Sequence, residues 1–124
     1  MQSRSVGSVK IFWLDKPKII DCLQGRAADL AARKGEVLEV WLFGSLARGD
    51  AVPGSDADLL IVVADSDLSF YERGPEYAFD SCGIGVDRFV YTRAEFEQLR
   101  ETRPRFHETL MKERKPLYRR ETTA

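Results

Sequence analysis

The sequence predicts an α/β domain, because a helical pattern precedes three short apolar runs and two further helical patterns follow them. The chain has 124 residues, of which 44% are hydrophobic and 31% charged, which is typical of one packed domain over residues 1–124. Its core is expected from about residue 16 to residue 118. No apolar run approaches the roughly 20 residues that span a membrane, and the N-terminus shows no signal-peptide pattern. We therefore expect a cytoplasmic protein with no membrane partner.

Cysteine content and charge narrow the class of protein. Cys22 and Cys82 have no metal-type spacing, which indicates buried thiols in a reducing cytoplasm rather than a disulfide. The net charge of −1 combines +4 from residue 100 onward with −5 over residues 1–99. A uniformly basic nucleic-acid-binding protein looks different, so nucleic acid as a partner stays open.

The first helix is predicted over Lys16–Lys34, where apolar residues recur at 3.6-residue spacing and form one face. Asp15 suits the N-cap, Pro17 the first turn, and Gly35 the end of this helix. The next segment, Glu36–Phe43, is predicted to be a central strand, because both of its faces are apolar near its end.

A glycine-rich turn follows this strand. Gly44 allows the backbone to approach a ligand closely. Ser45 is suited to cap a short helix, whose free N–H groups and dipole favour a phosphate. Arg48 adds a planar set of donors suited to phosphate oxygens. The turn therefore predicts phosphate binding.

Two carboxylates open the second predicted strand, Asp58–Ala64. Asp56 and Asp58 lie two residues apart, so their side chains share a face and their Cα atoms lie roughly 6–7 Å apart. Unpaired, the two carboxylates would repel each other and raise each other's pKa. Hard cations such as Mg²⁺ prefer carboxylate oxygens and usually share substrate phosphates. The pair therefore predicts a divalent-cation site.

A third strand is predicted over Ile84–Tyr91, after a segment, 65–83, that shows at most a short helix near Pro75–Asp80. Asp87 lies in this strand among apolar neighbours, where a buried unpaired charge is costly. A salt bridge, for example to an arginine, is one interpretation of Asp87.

The remaining chain predicts two helices and a short strand. Thr92 is expected to cap a helix from Arg93 to about Arg103, a second helix runs from Pro104 to about Glu113, and Pro116–Tyr118 is a short strand. His107, like Trp13 near the other end, is expected to be a packing or surface residue. The basic segment 100–120 is either a solvated helix face or a contact surface for an acidic partner or RNA.

The ordered motifs resemble a known family. Gly44-Ser45, then Arg48-Gly49, then Ser55-Asp56-Ala57-Asp58-Leu59 are similar to the signature of the DNA polymerase β-type nucleotidyltransferase superfamily. The closest group by size and motif is the minimal nucleotidyltransferases, often the antitoxin half of toxin–antitoxin pairs. The resemblance covers roughly residues 37–91. It implies a nucleotidyltransferase-like core, in which a small mixed β-sheet has its helices packed mainly on one side.

The resemblance also implies a reaction, the transfer of a nucleoside monophosphate from a triphosphate, here AMP from ATP, to a hydroxyl group. Asp56 and Asp58 would hold two Mg²⁺ ions, and Asp87 would be the third metal carboxylate and could receive the acceptor's proton. Gly44, Ser45 and Arg48 would hold the nucleotide phosphates.

The acceptor is expected to be a partner protein. About 33 residues follow Tyr91, too few for the helical acceptor domain that antibiotic-modifying transferases usually carry. The resemblance therefore implies a small helical toxin of the HEPN type as partner. Two alternatives stay open: a non-catalytic nucleotide-binding antitoxin, and a small-molecule transferase of the antibiotic type. The sequence leaves the base preference and the oligomeric state undetermined.

Overall fold

The chain folds around a four-stranded sheet flanked by helices. The computed structural model describes residues 15–79 and 82–120 in full and residues 3–6 and 9–12 as backbone. In chain order the elements are β1 (Ser3–Val6), β2 (Val9–Phe12), α1 (Lys16–Arg33), β3 (Val37–Phe43), α2 (Ser45–Arg48), β4 (Ala57–Val63), β5 (Val86–Thr92), α3 (Arg93–Thr102), α4 (Pro104–Glu113) and β6 (Lys115–Arg119). Trp13, with its expected packing role, lies outside the described residues.

The four strands of the sheet lie in the order β5-β4-β3-β6. β3 pairs antiparallel with β4 and with β6, whereas β4 and β5 are parallel, so the mixed sheet is confirmed. β1 and β2 form a separate antiparallel pair. Because β4 and β5 run in the same direction, their N-terminal ends meet at the same end of the sheet.

Helices cover both faces of this sheet. One face packs against α1 through a buried cluster that includes Leu23, Leu30, Leu42, Leu59 and Ile61. The other face packs against α3 and α4 through a second cluster that includes Trp41, Leu60, Tyr91, Leu99 and Leu110. This arrangement corrects the expectation that the helices lie mainly on one side. Strands that are apolar on both faces need cover on both, because burying apolar surface stabilises the fold by about 25 cal/mol per Å².

Local capping signals account for the predicted boundaries of α1 and α3, which agree with the structure to within one residue. The Asp15 side chain accepts a hydrogen bond from the backbone N–H of Lys18 at the start of α1. At the start of α3, Thr92 and Glu95 each accept a hydrogen bond from the other's backbone N–H. No helix among the described residues is both long and apolar enough to cross a bilayer.

The segment between β4 and β5 contains two short 3-10 turns, Phe70–Glu72 and Gly74–Tyr77. The second replaces the short helix predicted near Pro75–Asp80, of which Asp80 lies outside the described residues. Arg73 joins the two turns and is buried. Its guanidinium donates to the backbone carbonyls of residues 68 and 90 and forms an ion pair with Glu95, so it ties the segment to β5 and α3.

The prediction of free thiols is wrong in this structure, because Cys22 and Cys82 form a disulfide with a Cα–Cα distance of 5.9 Å. Cys22 lies on α1. Cys82, close to the start of β5, packs against the same apolar cluster as α1, which brings the two residues together. They are 60 residues apart in sequence, and sequence spacing alone does not reveal such proximity.

Candidate active site

Three aspartates meet at one end of the sheet. Asp56 immediately precedes β4, Asp58 is the second residue of β4, and Asp87 is the second residue of β5. Asp58 and Asp87 are direct partners in the parallel register, so their side chains share a face on strands about 4.8 Å apart. Asp56, two residues before Asp58, shares that face. The structure thus places the three side chains that were predicted as metal ligands at the same end of the sheet.

Two glycines leave room for these carboxylates. A Cβ atom at Gly44 would lie 2.2 Å from Oδ2 of Asp58, and a Cβ atom at Gly85 would lie 2.3 Å from Oδ1 of Asp56. Any other residue at either position would displace the carboxylate. Gly44, expected to admit a ligand, therefore admits the carboxylate of Asp58 here. Gly85 was not among the predicted site residues, although a glycine inside a predicted strand is itself a sign of close approach.

The pKa of Asp58 is raised by its surroundings. Burial raises its pKa above the ordinary value, and the negative charges of Asp87 and Asp56 raise the pKa further, whereas the positive charge of Arg48 lowers it. Asp87 is exposed, and no described residue forms an ion pair with it, so the salt-bridge interpretation of Asp87 finds no partner there. The residue is exposed to solvent, so its charge is not the buried, unpaired one that the sequence suggested.

The three carboxylates suit a hard divalent cation, which takes oxygen ligands. Across residues 15–79 and 82–120, no three acidic, histidine or cysteine side chains converge closely enough to hold a metal ion as they stand. Asp56 and Asp87 are exposed, however, and can change rotamer. A cation would also offset the repulsion that raises the pKa of Asp58. The donor chemistry of the three carboxylates therefore fits Mg²⁺.

The glycine-rich turn forms α2, a single helical turn of four residues. Gly44 occupies the N-cap and Ser45 is the first helical residue, so the prediction that Ser45 caps this helix is wrong. The non-helical residue before the first turn is Gly44, whose φ is +79°, so the serine lies inside the helix instead of capping it. Ser45 is half-buried and directly follows Gly44, the residue that lies against the carboxylate of Asp58.

Arg48 is held by two carboxylates. Its Nε donates to Oδ2 of Asp50 at 3.2 Å, and its Nη1 donates to both carboxylate oxygens of Glu113 at 3.1 and 3.2 Å. Glu113 is the last residue of α4, so this contact joins α2 to α4. Glu113 was not among the residues predicted from the sequence, because nothing local distinguishes it and it lies 65 residues from Arg48.

The basic C-terminal segment is partly engaged in packing. The guanidinium of Arg103 lies 4.7 Å from the ring centre of Phe106, and those of Arg114 and Arg119 lie 4.2 and 5.5 Å from the ring of Trp41. His107, half-buried, faces the ring of Phe96, in agreement with its expected packing role. A contact surface for an acidic partner on this segment stays a prediction.

Comparisons with known proteins identify the family and the fold of the chain. The family model of the nucleotidyltransferase domain matches residues 26–118. The fold is similar to that of a Sulfolobus solfataricus protein described as a nucleotidyltransferase, at 21% identity over 86% of each chain with a TM-score of 0.60. No curated protein matches the sequence.

Toxin–antitoxin structures are also similar to this chain. One contains AMP-PNP and matches at 21% identity over 87% of this chain and 76% of that one, with a TM-score of 0.50. Another is the tri-AMPylated HEPN toxin of Shewanella oneidensis in complex with an MNT antitoxin, at 16% identity over 82% of this chain and 73% of that one, with a TM-score of 0.50. At identities this low, these structural matches show a shared fold alone.

Proposed function

Because this chain belongs to the nucleotidyltransferase domain family, we propose that it transfers AMP from ATP to a hydroxyl group of a partner protein in the cytoplasm. The observation that carries the proposal is the meeting of Asp56, Asp58 and Asp87 at one end of the sheet. Gly44 and Gly85 have no side chain that would collide with the carboxylates of Asp58 and Asp56. This close packing supports a ligand site and argues against an acidic surface loop without function.

The proposed reaction is a direct displacement at phosphorus. The acceptor oxygen forms a bond to the α-phosphorus of ATP. The bond from that phosphorus to the oxygen shared with the β-phosphorus breaks, and pyrophosphate leaves with the electron pair. Asp87, exposed at the start of β5, receives the proton of the acceptor hydroxyl. Asp56 and Asp58 would hold two Mg²⁺ ions, and Asp87 would be the third metal carboxylate. When bound, Mg²⁺ supplies positive charge to the phosphate oxygens.

The turn after β3 is proposed to bind the nucleotide phosphates. Gly44 brings its backbone to the carboxylate of Asp58, and the hydroxyl of Ser45 follows directly on α2. Arg48 closes α2 with a guanidinium suited to phosphate oxygens. Positioning and electrostatics of this kind are the main contributions of a protein to phosphoryl-type transfer.

The proposed acceptor is a small helical toxin of the HEPN type. The solved structures that match this fold include a complex of a tri-AMPylated HEPN toxin with an MNT antitoxin, and a toxin–antitoxin complex with AMP-PNP. In this chain α3 and α4 cover the sheet, so they are not free to form a separate acceptor domain. An acceptor that brings its own docking surface meets the need to orient the hydroxyl group.

Incubation of the protein with labelled ATP, Mg²⁺ and the product of the adjacent gene tests the proposal. We expect mass spectrometry to show a gain of one AMP on the partner, and no gain with the Asp56→Ala variant or in the presence of chelator. Label only on a small molecule or on RNA would instead indicate the small-molecule or nucleic-acid transferase. No label anywhere, with the partner still bound, would indicate a non-catalytic binding module.

A further inference from the structure

Arg48 is restrained in a way that leaves part of its guanidinium available. Asp50 takes its Nε and Glu113 takes its Nη1, whereas Nη2 has no hydrogen-bond partner among the described residues. A guanidinium carries five N–H donors in one rigid plane, so fixing Nε and Nη1 also fixes the direction in which Nη2 points. The two N–H groups of Nη2 remain for a ligand.

Glu113 is the better placed of the two carboxylates to hold this plane. Its side chain is 17% exposed, whereas that of Asp50 is 63% exposed on a loop. Glu113 also ends α4, which is packed into the core through Leu110. A carboxylate on a packed helix loses little further conformational entropy when it holds its partner, so it fixes Arg48 more firmly than an exposed loop residue does.

We propose that Glu113 is a positioning residue of the nucleotide site, which holds Arg48 so that Nη2 faces the triphosphate beside Asp58. The inference rests on the proposed function, because it concerns the same triphosphate. Helix α2, which carries Arg48, begins next to the glycine that lies against the carboxylate of Asp58.

The sign of one binding change separates positioning from a simple charge effect. Glu113 is itself negative and repels a triphosphate. If its charge were its only influence, replacing it with alanine would strengthen triphosphate binding. If it acts by holding Arg48, the same replacement weakens binding, because the guanidinium must then be ordered at the expense of binding free energy.

Calorimetric titration with AMP-PNP and Mg²⁺ measures this change. We expect Glu113→Ala to weaken binding by about five- to tenfold, the worth of a partly lost charge-assisted contact. Glu113→Gln keeps one acceptor oxygen and should lose less. Glu108→Ala is the matched control, since it removes the same charge from an exposed position on the same helix, and it should leave binding equal or slightly tighter.

Two further variants test whether the effect passes through Arg48. In an Arg48→Gln background, Glu113→Ala should cause no additional loss, because there is no guanidinium left to position. The exchange Arg48→Glu with Glu113→Arg rebuilds the ion pair, so it should recover thermal stability without recovering triphosphate affinity. Recovery of both would show that the pair is only a structural link between α2 and α4.

The failures of this inference and of the proposed function are distinguishable. If the wild type binds AMP-PNP with Mg²⁺ but Glu113→Ala binds it equally or more tightly, Glu113 does not position Arg48 and the proposed function stands. An equal loss in the Arg48→Gln background likewise overturns the positioning role. If the folded wild type does not bind AMP-PNP with Mg²⁺ at all, both proposals fail.

Discussion

Gly44 has two independent reasons to be glycine. Its backbone, with φ of +79° and ψ of −158°, lies in a region that is essentially reserved for glycine. The position that a Cβ atom would take is filled by Oδ2 of Asp58, 2.2 Å away. The first reason concerns stability and the second concerns the site, so the two can be separated by comparison with another glycine of positive φ.

Gly44→Ala should abolish Mg²⁺-dependent triphosphate binding, because the new methyl group displaces the carboxylate of Asp58. Gly49→Ala is the control: Gly49 has φ of +91°, but a Cβ atom added there would meet no atom within 4 Å. It should cost about 1–2 kcal/mol in the free energy of unfolding through backbone strain and leave binding intact. Urea unfolding and calorimetry measure the two effects. If Gly44→Ala binds the triphosphate as tightly as the wild type does, the carboxylate of Asp58 does not need the space beside residue 44.

Asp58→Asn tests the repulsion within the site through its effect on stability. Burial, then Asp87 and Asp56, raise the pKa of Asp58 above 3.8. A carboxyl group with a raised pKa in the folded state contributes stability that is fully present below its unfolded pKa and is lost as the pH rises through the folded pKa. The asparagine variant should therefore be as stable as the wild type or more stable near pH 7, although it should not transfer AMP.

The stability difference should shrink as the pH is lowered toward 3.8, where the wild-type carboxyl group becomes protonated. Urea unfolding at several pH values without metal measures it. Asp67→Asn, which removes a charge from an exposed loop residue, controls for the change in net charge. A large loss of stability in Asp58→Asn at pH 7 would show that the carboxylate supports the fold instead.

Among the elements, those with local signals could be predicted from sequence. Asp15 and the Thr92–Glu95 pair cap the helices that were expected there, because a cap depends on residues only three apart. The division of the helices between the two faces could not be predicted in this way. It depends on which distant segments pack together, and the apolar strands indicated only that both faces needed cover.

The residues of the candidate site likewise fall into those that could be predicted from the sequence and those that could not. Asp56 and Asp58 could be predicted because they are two residues apart at the start of a strand, and Asp87 because of the family resemblance. Glu113 could not be predicted, since its contact with Arg48 exists only once α4 has packed against the sheet. That Gly44 and not Ser45 is the N-cap of α2 depends on a backbone angle that sequence alone does not give.

For the molecule as a whole, the disulfide is the longest-range covalent constraint that the described residues show. It joins Cys22 on α1 to Cys82, three residues before Gly85. The carbonyl of Gly85 accepts a hydrogen bond of 2.7 Å from the backbone N–H of Ala57, at the start of β4. The disulfide therefore closes a loop that contains β3, α2 and β4 and that ends three residues before Gly85 of the candidate site. Disulfides are uncommon in the reducing cytoplasm, so the redox state of this pair bears on the proposed compartment.

Reduction of this disulfide should destabilise the fold by about 2–4 kcal/mol, because an open chain gains conformational entropy on unfolding that a closed loop of this length does not. Urea unfolding with and without a dithiol reductant measures the difference. Cys22→Ser, Cys82→Ser and the double variant should all match the reduced wild type and be insensitive to reductant, since any one change removes the same bond. If protein isolated under non-reducing conditions titrates as two free thiols, or if reductant leaves its unfolding unchanged, the pair is present as thiols, as was expected from the sequence.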